Sequence, residues 1–393
     1  MLKSFIAAAS GLALAGALAA QPAAAQETLK IGFINTFSGD RAIFGKQQKD
    51  AVELALSHLG GKVGGLNTEI IYGDDQGKPD AGRQEADKLV QKDKVHFVTG
   101  IIWSNVLMAV ARPVTRSGTF MISTNAGASP MSGKDCSENF FTTSWNNDTI
   151  PEGLGKLMTD DKVENSFLLA PNYQAGKDMI TGLQRFYQGK TAGQILTKLD
   201  QSDFQAEISQ IRATNPKSVF LFQPGGMGIS FLKQWATSGL ADRIPVYTVF
   251  TVDAVTLPAI GDAAIGTYHT MHWAADLKNP QNQRFVKDFI AKYGYEPSNY
   301  SAQAYDLLPW LDSAIKEVKG NLNDKDGIRN ALRKVNYASI RGPYKLNVNH
   351  TPIQNIYKMV VEKGADGKPT IVSRGVVFEN HKDAYFSECS MKW

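Results

Sequence analysis

The sequence predicts an α/β protein of two lobes, each a parallel sheet covered by helices. Three observations carry this. From Leu29 onward, short apolar runs bounded by glycine alternate with amphipathic stretches, the pattern of strands buried on both faces. The alternation runs to about Ser123, resets near Phe140–Trp145 and runs again to Thr248. A chain of 393 residues also has the length of two domains, at ~100–200 residues each.

At the N-terminus, Lys3 precedes an apolar stretch, Phe5 to Ala20, and then Ala23-Ala24-Ala25. Small residues at the last positions are what a signal peptidase reads. The run is short and alanine-heavy, where a membrane span needs ~20 strongly apolar residues. Residues 1–25 are therefore expected to be a cleaved secretory signal, with Gln26 starting an exported chain.

Leu29–Thr36 reads as a buried strand, Ser38-Gly39-Asp40 as a turn, and the chain then as helical to about Leu59. Thr68–Tyr72 is a strand, and Pro79–Gln91 a helix with Pro79 near its start and Ala86, Leu89 and Val90 on one side, as helix signals require. Val95–Gly100, Asn105–Ser117 and Thr119–Ser123 repeat the alternation, and Ala126–Gly133 is a Gly/Ser/Pro-rich loop. In the second series, Asp148–Met158 is helical and Asn165–Ala170 a strand. Helix 176–187, strand 192–199, helix 204–213, strand 217–222, helix 228–237 and strand 244–248 follow. Ile265–Trp273 is a further strand, and Pro280–Tyr293 and Ser301–Val318 are helices. Asn355–Glu362 and Thr370–Val377 form a hairpin around Ala365-Asp366-Gly367. No flexible linker separates the halves, so two lobes would exchange the chain through a hinge.

Composition excludes several classes. With 43% hydrophobic and 20% charged residues, the chain is too apolar for disorder and too interrupted by charge for a polytopic membrane protein. Lys plus Arg total 42 against 38 Asp plus Glu, which leaves no basic footprint for nucleic acid. Two cysteines, Cys136 and Cys389, exclude a zinc module or a disulfide scaffold. In an exported chain they are expected to pair with each other.

Signatures of catalysis are missing: there is no Gly-x-Ser-x-Gly, His-Glu-x-x-His, Cys-x-x-Cys or phosphate-binding loop. Gly225-Gly226-Met227-Gly228 lacks the third glycine of a dinucleotide loop, since Phe231 stands there, and reads as a plain strand-to-helix turn. His269 and His272 lie three apart on a strand, so they face opposite ways and share no metal. Asp74-Asp75 reads as a solvated loop. The expectation is a binding protein with no catalytic residue, metal or cofactor.

The stretch Ile31–Gly45 (IGFINTFSGDRAIFG) resembles the periplasmic leucine/isoleucine/valine-binding protein family of ATP-driven importers. The likeness continues through Tyr72–Pro79 (YGDDQGKP), Lys94–Gly100 (KVHFVTG), Ala170–Gly176 (APNYQAG), Asp203–Ile211 (DFQAEISQI), Gly261–Gly266 (GDAAIG) and Ser301–Ile315 (SAQAYDLLPWLDSAI). The resemblance implies a type I periplasmic binding protein fold: two Rossmann-like lobes, 26–146 plus 275–350 and 147–274 plus 351–393, joined by three hinge crossings. It also implies a monomer in the periplasm that carries a small carboxylate to an inner-membrane ABC permease.

Carried over residue by residue, the resemblance places the ligand carboxylate at Ser104 and Asn105, where a helix begins, and at the loop of Thr124, Asn125 and Ala126. A helix N-terminus holds an anion without Arg or Lys; the plainer reading of Ser104 is a helix cap. The remaining pocket would come from Phe44, Trp103, Tyr305, the Asn172-Tyr173 loop and Gln223, with core packing the alternative for Phe44, Tyr305 and Trp273. One departure stands out. Where amino-acid binders carry an acid for the ligand's ammonium, this chain has Val249 or Phe250. An ammonium buried there would lose its hydration without gaining a partner. The expected ligand is therefore a carboxylate without an α-amine, and aromatic walls favour a benzoate- or cinnamate-like ring. The Trp145-Asn146-Asn147-Asp148 stretch looks like that of aromatic-acid binders. Asp253 or Asp148 would serve an ammonium if the register differs, which leaves branched-chain amino-acid capture as the alternative, with a ligand sensor as a further one.

Overall fold

A computed structural model describes residues 27–393; the expected signal segment lies outside the described residues. The first series comprises β1 (Leu29–Asn35), α1 (Ala42–His58), β2 (Lys62–Val63), β3 (Leu66–Asp74), α2 (Pro79–Gln91), β4 (Phe97–Gly100), α3 (Ser104–Arg116), β5 (Phe120–Ser123), α4 (Ser129–Ser132) and β6 (Phe140–Thr142). Its strands form one sheet in the order β2-β3-β1-β4-β5-β6, parallel except for the β2 edge. The near-continuous apolar runs explain this: every residue of β4 and β5 is buried, as helices on both faces require. A Cβ on Gly32 would lie 2.8 Å from Leu89 of α2, so the glycine lets that helix settle onto the sheet.

The second series comprises α5 (Thr149–Asp160), β7 (Asn165–Pro171), α6 (Gln174–Phe186), β8 (Lys190–Thr197), α7 (Gln205–Thr214), β9 (Val219–Leu221), α8 (Gly226–Ala236), β10 (Val246–Thr248), α9 (Leu257–Ile260) and β11 (Tyr268–Met271). Next come α10 (Pro280–Tyr293), α11 (Asn299–Glu317) and α12 (Lys325–Lys334), then β12 (Lys345–Leu346), β13 (Pro352–Lys363) and β14 (Pro369–His381). The second sheet runs β12-β13-β11-β10-β9-β7-β8, with β14 paired to β13. Helices α10 to α12 return to the first lobe: Phe285, Leu307, Trp310 and Leu332 share a core with Ile31 and Phe97. The chain thus passes between lobes after β6, after β11 and after α12.

Several local expectations are corrected. The β2–β3 hairpin was not anticipated, although Gly64-Gly65 at its turn, both with positive φ, is a recognised hairpin signal. Helix α12 was also missed. Its apolar stripe is only Ile328, Ala331 and Leu332, and Asp324 caps it by accepting from the Gly327 N–H at 2.8 Å. Asp75 is not solvated but fully buried, accepting from Thr36 Oγ1 at 2.6 Å and the Gly77 N–H at 2.8 Å. His269 and His272 are both buried, and no metal-holding cluster exists among the described residues. At Gly228, a Cβ would sit 2.3 Å from the Gln223 carbonyl, so this glycine serves close strand–helix packing.

Cys136 and Cys389 are disulfide-bonded, with Cα atoms 5.7 Å apart, inside the range a bridge spans. The tail after β14 crosses back to reach its partner. Asn347 and Asn349 donate to Asp383 at 3.0 and 2.9 Å, and Trp393 Nε1 donates to the Val348 carbonyl at 2.9 Å.

Candidate ligand-binding site

A cavity lies between the lobes at the C-terminal ends of the parallel strands, where open α/β sheets place ligands. From the first lobe come Ile102, Trp103 and Ser104 after β4, Asn125 and Ala126 after β5, and Tyr300 on α11. The first crossing supplies Trp145 and Asn147. The second lobe adds Tyr173, Ala175 and Met179 around the start of α6, Phe222 and Pro224 after β9, and Phe250 after β10. Two of the strand-to-loop turns are strained: Ile101 has φ 69° and Phe250 φ 50°. Side chains of this size rarely adopt left-handed backbone, and such residues cluster at functional sites.

One corner suits an anion. Helix α3 begins at Ser104 with Trp103 at the N-cap, and no side chain caps it. The N–H groups of its first turn therefore have no helical acceptor. Ser104 occupies the first helical position, so the cap reading does not describe it. Its Oγ accepts from Asn147 Nδ2 at 3.0 Å, which leaves the hydroxyl hydrogen for an acceptor in the cavity. Asn147 is itself fixed: its Oδ1 accepts from the Gly127 N–H at 3.2 Å, and its Nδ2 also donates to Asp178 Oδ2 at 2.8 Å. Asp178 belongs to α6, so this amide ties the anion corner to the second lobe.

The walls are aromatic. Trp145 and Phe250 have ring centroids 4.7 Å apart, Phe222 meets Phe250 edge-on at 6.2 Å, and Tyr173 stacks on Phe222 at 6.2 Å. Trp103 is held by its Nε1 bond to Thr36 Oγ1 at 3.0 Å, and Thr36 in turn binds the buried Asp75. None of the lining residues carries a charge. Burial pushes the Asp178 carboxyl above its usual range, and its oxygens are occupied by Asn147, the Ser129 N–H at 3.2 Å and Gln174 at 2.8 Å. Asp148 is taken by Ser129, by Arg185 at 3.0 Å and by Tyr385 at 2.9 Å. Burial, with the neighbouring Asp178, raises its pKa to about 6 against the pull of Ser129 and Arg185.

The expected residues divide. Trp103, Ser104, Asn125, Ala126, Tyr173 and Phe250 line the cavity. Phe44 lies one layer behind, packed on Trp103 at 5.8 Å and Tyr300 at 4.8 Å. Asn105 and Asn172 are not on the lining. Thr124 turns its hydroxyl to Gln48 at 2.7 Å, and Gln223 donates to Thr197 at 3.0 Å. Tyr305 is core: its hydroxyl meets His58 Nδ1 at 2.8 Å and its ring packs on Phe285 at 4.6 Å. Trp273 donates to Asn282 at 2.7 Å. Where the second loop reaches the cavity, two of its donors are already used. The Ala126 N–H binds the Ile101 carbonyl at 3.0 Å and the Asn125 amide the Ile102 carbonyl at 2.8 Å. Sequence reasoning missed Tyr300, Phe222, Pro224 and Met179. It noticed Trp145 and Asn147 only as a family-like stretch.

In this conformation the cavity is about 30 Å³, where one water needs ~10–15 Å³. A molecule the size of an aromatic ring does not fit unless the walls part.

Comparison with known proteins gives the same picture. A family model described as periplasmic binding protein matches residues 28–368. The Leu/Ile/Val-binding protein homolog 6 of Brucella melitensis is 28% identical over 361 residues, covering 88% of this chain and 91% of that one. A solute-binding protein of an ABC transporter from R. palustris, solved in complex with benzoate, superposes with a TM-score of 0.87. It shares 30% identity, over 93% of this chain and 100% of that one. A second, from Rhodopseudomonas palustris BisB5 in complex with 3,4-dihydroxybenzoic acid, gives 0.85 at 27% identity, over 91% and 99%. With two lobes, three crossings and an interlobe cavity already in view, the match over most of its length identifies the chain as a member of the periplasmic binding protein family, in the type I fold.

Proposed function

We propose that this protein is the periplasmic capture component of an ABC importer and that its ligand is an aromatic monocarboxylate without an α-amine. The observation that carries the reading is a cavity with an uncapped helix N-terminus, aromatic walls and no charged side chain on its lining. Helix N–H groups and Ser104 receive the carboxylate, and Trp145, Phe250, Phe222 and Tyr173 enclose the ring. An α-ammonium would find no free acid there, because Asp178 and Asp148 are already hydrogen-bonded. Solved relatives that bind benzoate and 3,4-dihydroxybenzoate support the ligand class.

The mechanism is hinge closure without chemical conversion, in which the ligand touches both lobes only when they are closed. The moving bodies are 26–146 with 275–350 and 147–274 with 351–393. At the cleft mouth Arg41, stacked 4.4 Å over Trp103, donates from Nε to Asp200 of the second lobe at 2.9 Å. Asp200 is exposed, so this pair contributes only ~0–1 kcal/mol to closure. The closed form is what an inner-membrane permease would recognise, and the protein works as a monomer.

The curated relatives named for Leu/Ile/Val binding favour a second reading, branched-chain amino-acid capture. A thermal-shift panel separates the two, since a tight ligand stabilises by mass action. Benzoate, 4-hydroxybenzoate or coumarate should raise the melting temperature more than leucine or valine at equal concentration. The opposite ranking would overturn the proposal.

A further inference from the structure

A second interlobe cavity shares no lining residue with the first. Asp253, His269, Met271 and Met359 line it from the second lobe, Trp273 from the second crossing, and Ser298 and Asn299 from the start of α11. Asp253, His269 and Asn299 are only 4%, 2% and 3% exposed. Each also has a buried polar atom without a partner: Asp253 Oδ2, His269 Nδ1 and Asn299 Nδ2. Protein interiors rarely tolerate this, because such atoms have lost water and gained nothing. In Asp253 the division of labour is plain. Oδ1 holds its loop by accepting from the Val255 and Thr256 N–H groups at 2.8 and 3.0 Å, while Oδ2 is left over.

The chemistry of the lining selects an occupant. Asp253 and the exposed Glu296 supply carboxylates, and no lysine or arginine lines the space. Burial holds the His269 imidazole neutral, with its pKa lowered to about 3, so in the Nε2–H tautomer its unpartnered Nδ1 accepts. Asn299 Nδ2 is a donor. Trp273, Met271 and Met359 supply an aromatic face and polarizable walls, which suit a cation on a short apolar body. The volume is about 60 Å³, against ~10–15 Å³ for one water, so a molecule of a few heavy atoms fits.

We propose that this cavity binds a short amino alcohol as its ammonium ion. The ammonium donates to Asp253 Oδ2 and His269 Nδ1, the hydroxyl oxygen accepts from Asn299 Nδ2, and the methylenes lie against the two methionines. This site is independent of the identity of the carboxylate ligand. Its walls come from both lobes, so occupancy stabilises the closed arrangement, and amine and acid raise each other's affinity reciprocally.

The test is calorimetry on the mature protein with 3-aminopropan-1-ol, using ethylene glycol and propylammonium as probes that lack the cation and the hydroxyl. Saturable one-to-one binding is expected, weaker for propylammonium and absent for ethylene glycol. It should fall at least tenfold in Asp253→Asn and survive in Ser104→Ala. Met359→Trp, which fills the space from another strand, should also abolish it, and so tests the site independently of the Asp253 carboxylate. No saturable binding to the parent, equal binding by Asp253→Asn and Met359→Trp, or crystals soaked with the amine that show ordered water only would overturn the proposal.

Discussion

Removing one hydroxyl tests the anion corner directly. In Ser104→Ala the ligand loses a hydrogen bond made to a charged carboxylate inside a closed cavity, an interaction of ~1.5–3 kcal/mol. At ~1.4 kcal/mol per tenfold, Kd for benzoate should rise about tenfold to a hundredfold. The apo protein should be little affected. Ser104 is not the cap of α3, and the Asn147 amide that donates to it keeps Asp178 Oδ2 at 2.8 Å and the Gly127 N–H at 3.2 Å. A single neutral hydrogen bond of ~1 kcal/mol shifts the melting temperature of a large domain by only ~2–4 °C. Isothermal titration of ligand-free parent and variant, paired with apo melting curves, separates the two effects. A Kd within about twofold of the parent alongside a large fall in apo melting temperature would make Ser104 a structural residue and refute the anion assignment.

Trp145→Leu should weaken benzoate binding by ~0.5–1.5 kcal/mol beyond lost area, because the ring packed 4.7 Å from Phe250 is gone; unchanged affinity by calorimetry would remove Trp145 from the ring contact. Cys389→Ser should lower the urea midpoint by releasing a loop of separation 253, with ~5.5 kcal/mol as the chain-entropy upper bound; a midpoint equal to that of the oxidised parent argues against any stabilising bridge. Burial raises the Asp253 pKa from 3.8 to about 6, against the pull of its Thr256 and Val255 bonds. A raised folded pKa contributes stability below pH 3.8 that is lost as pH rises through about 6. Asp253→Asn removes that loss, so it should be more stable than the parent by about 1–3 kcal/mol above pH 7. Stability curves of parent and variant that coincide from pH 4 to 8 would refute this.

Much of the fold was legible because its signals are local. The β–α alternation follows from runs such as Leu29–Asn35, buried along nearly its whole length. Ser104 was singled out by the family resemblance, and the structure places it at the first position of α3, four residues after the glycine that ends β4. The cysteine pair followed from there being two in a chain expected to be exported. The site resisted wherever its members meet only in space. Tyr305 was expected in the pocket, but Tyr300 lines it; five residues along a helix turn a side chain by about 140°, enough to send Tyr305 into the first core instead.

Sequence alone therefore determined the elements, their alternation into two lobes and the absence of an acid beside Val249 and Phe250, while the proposed anion corner at the start of α3 came from the family resemblance. Tertiary structure alone decided which side chains face the cleft. It placed Trp103 in front of Phe44, turned Asn147 between Ser104 and Asp178, and moved Asp253 to a separate cavity. The physical reason is that backbone propensity and burial period act over a few residues, whereas a cleft is assembled by strand ends from two sheets. Their mutual position is set only when the three crossings pack.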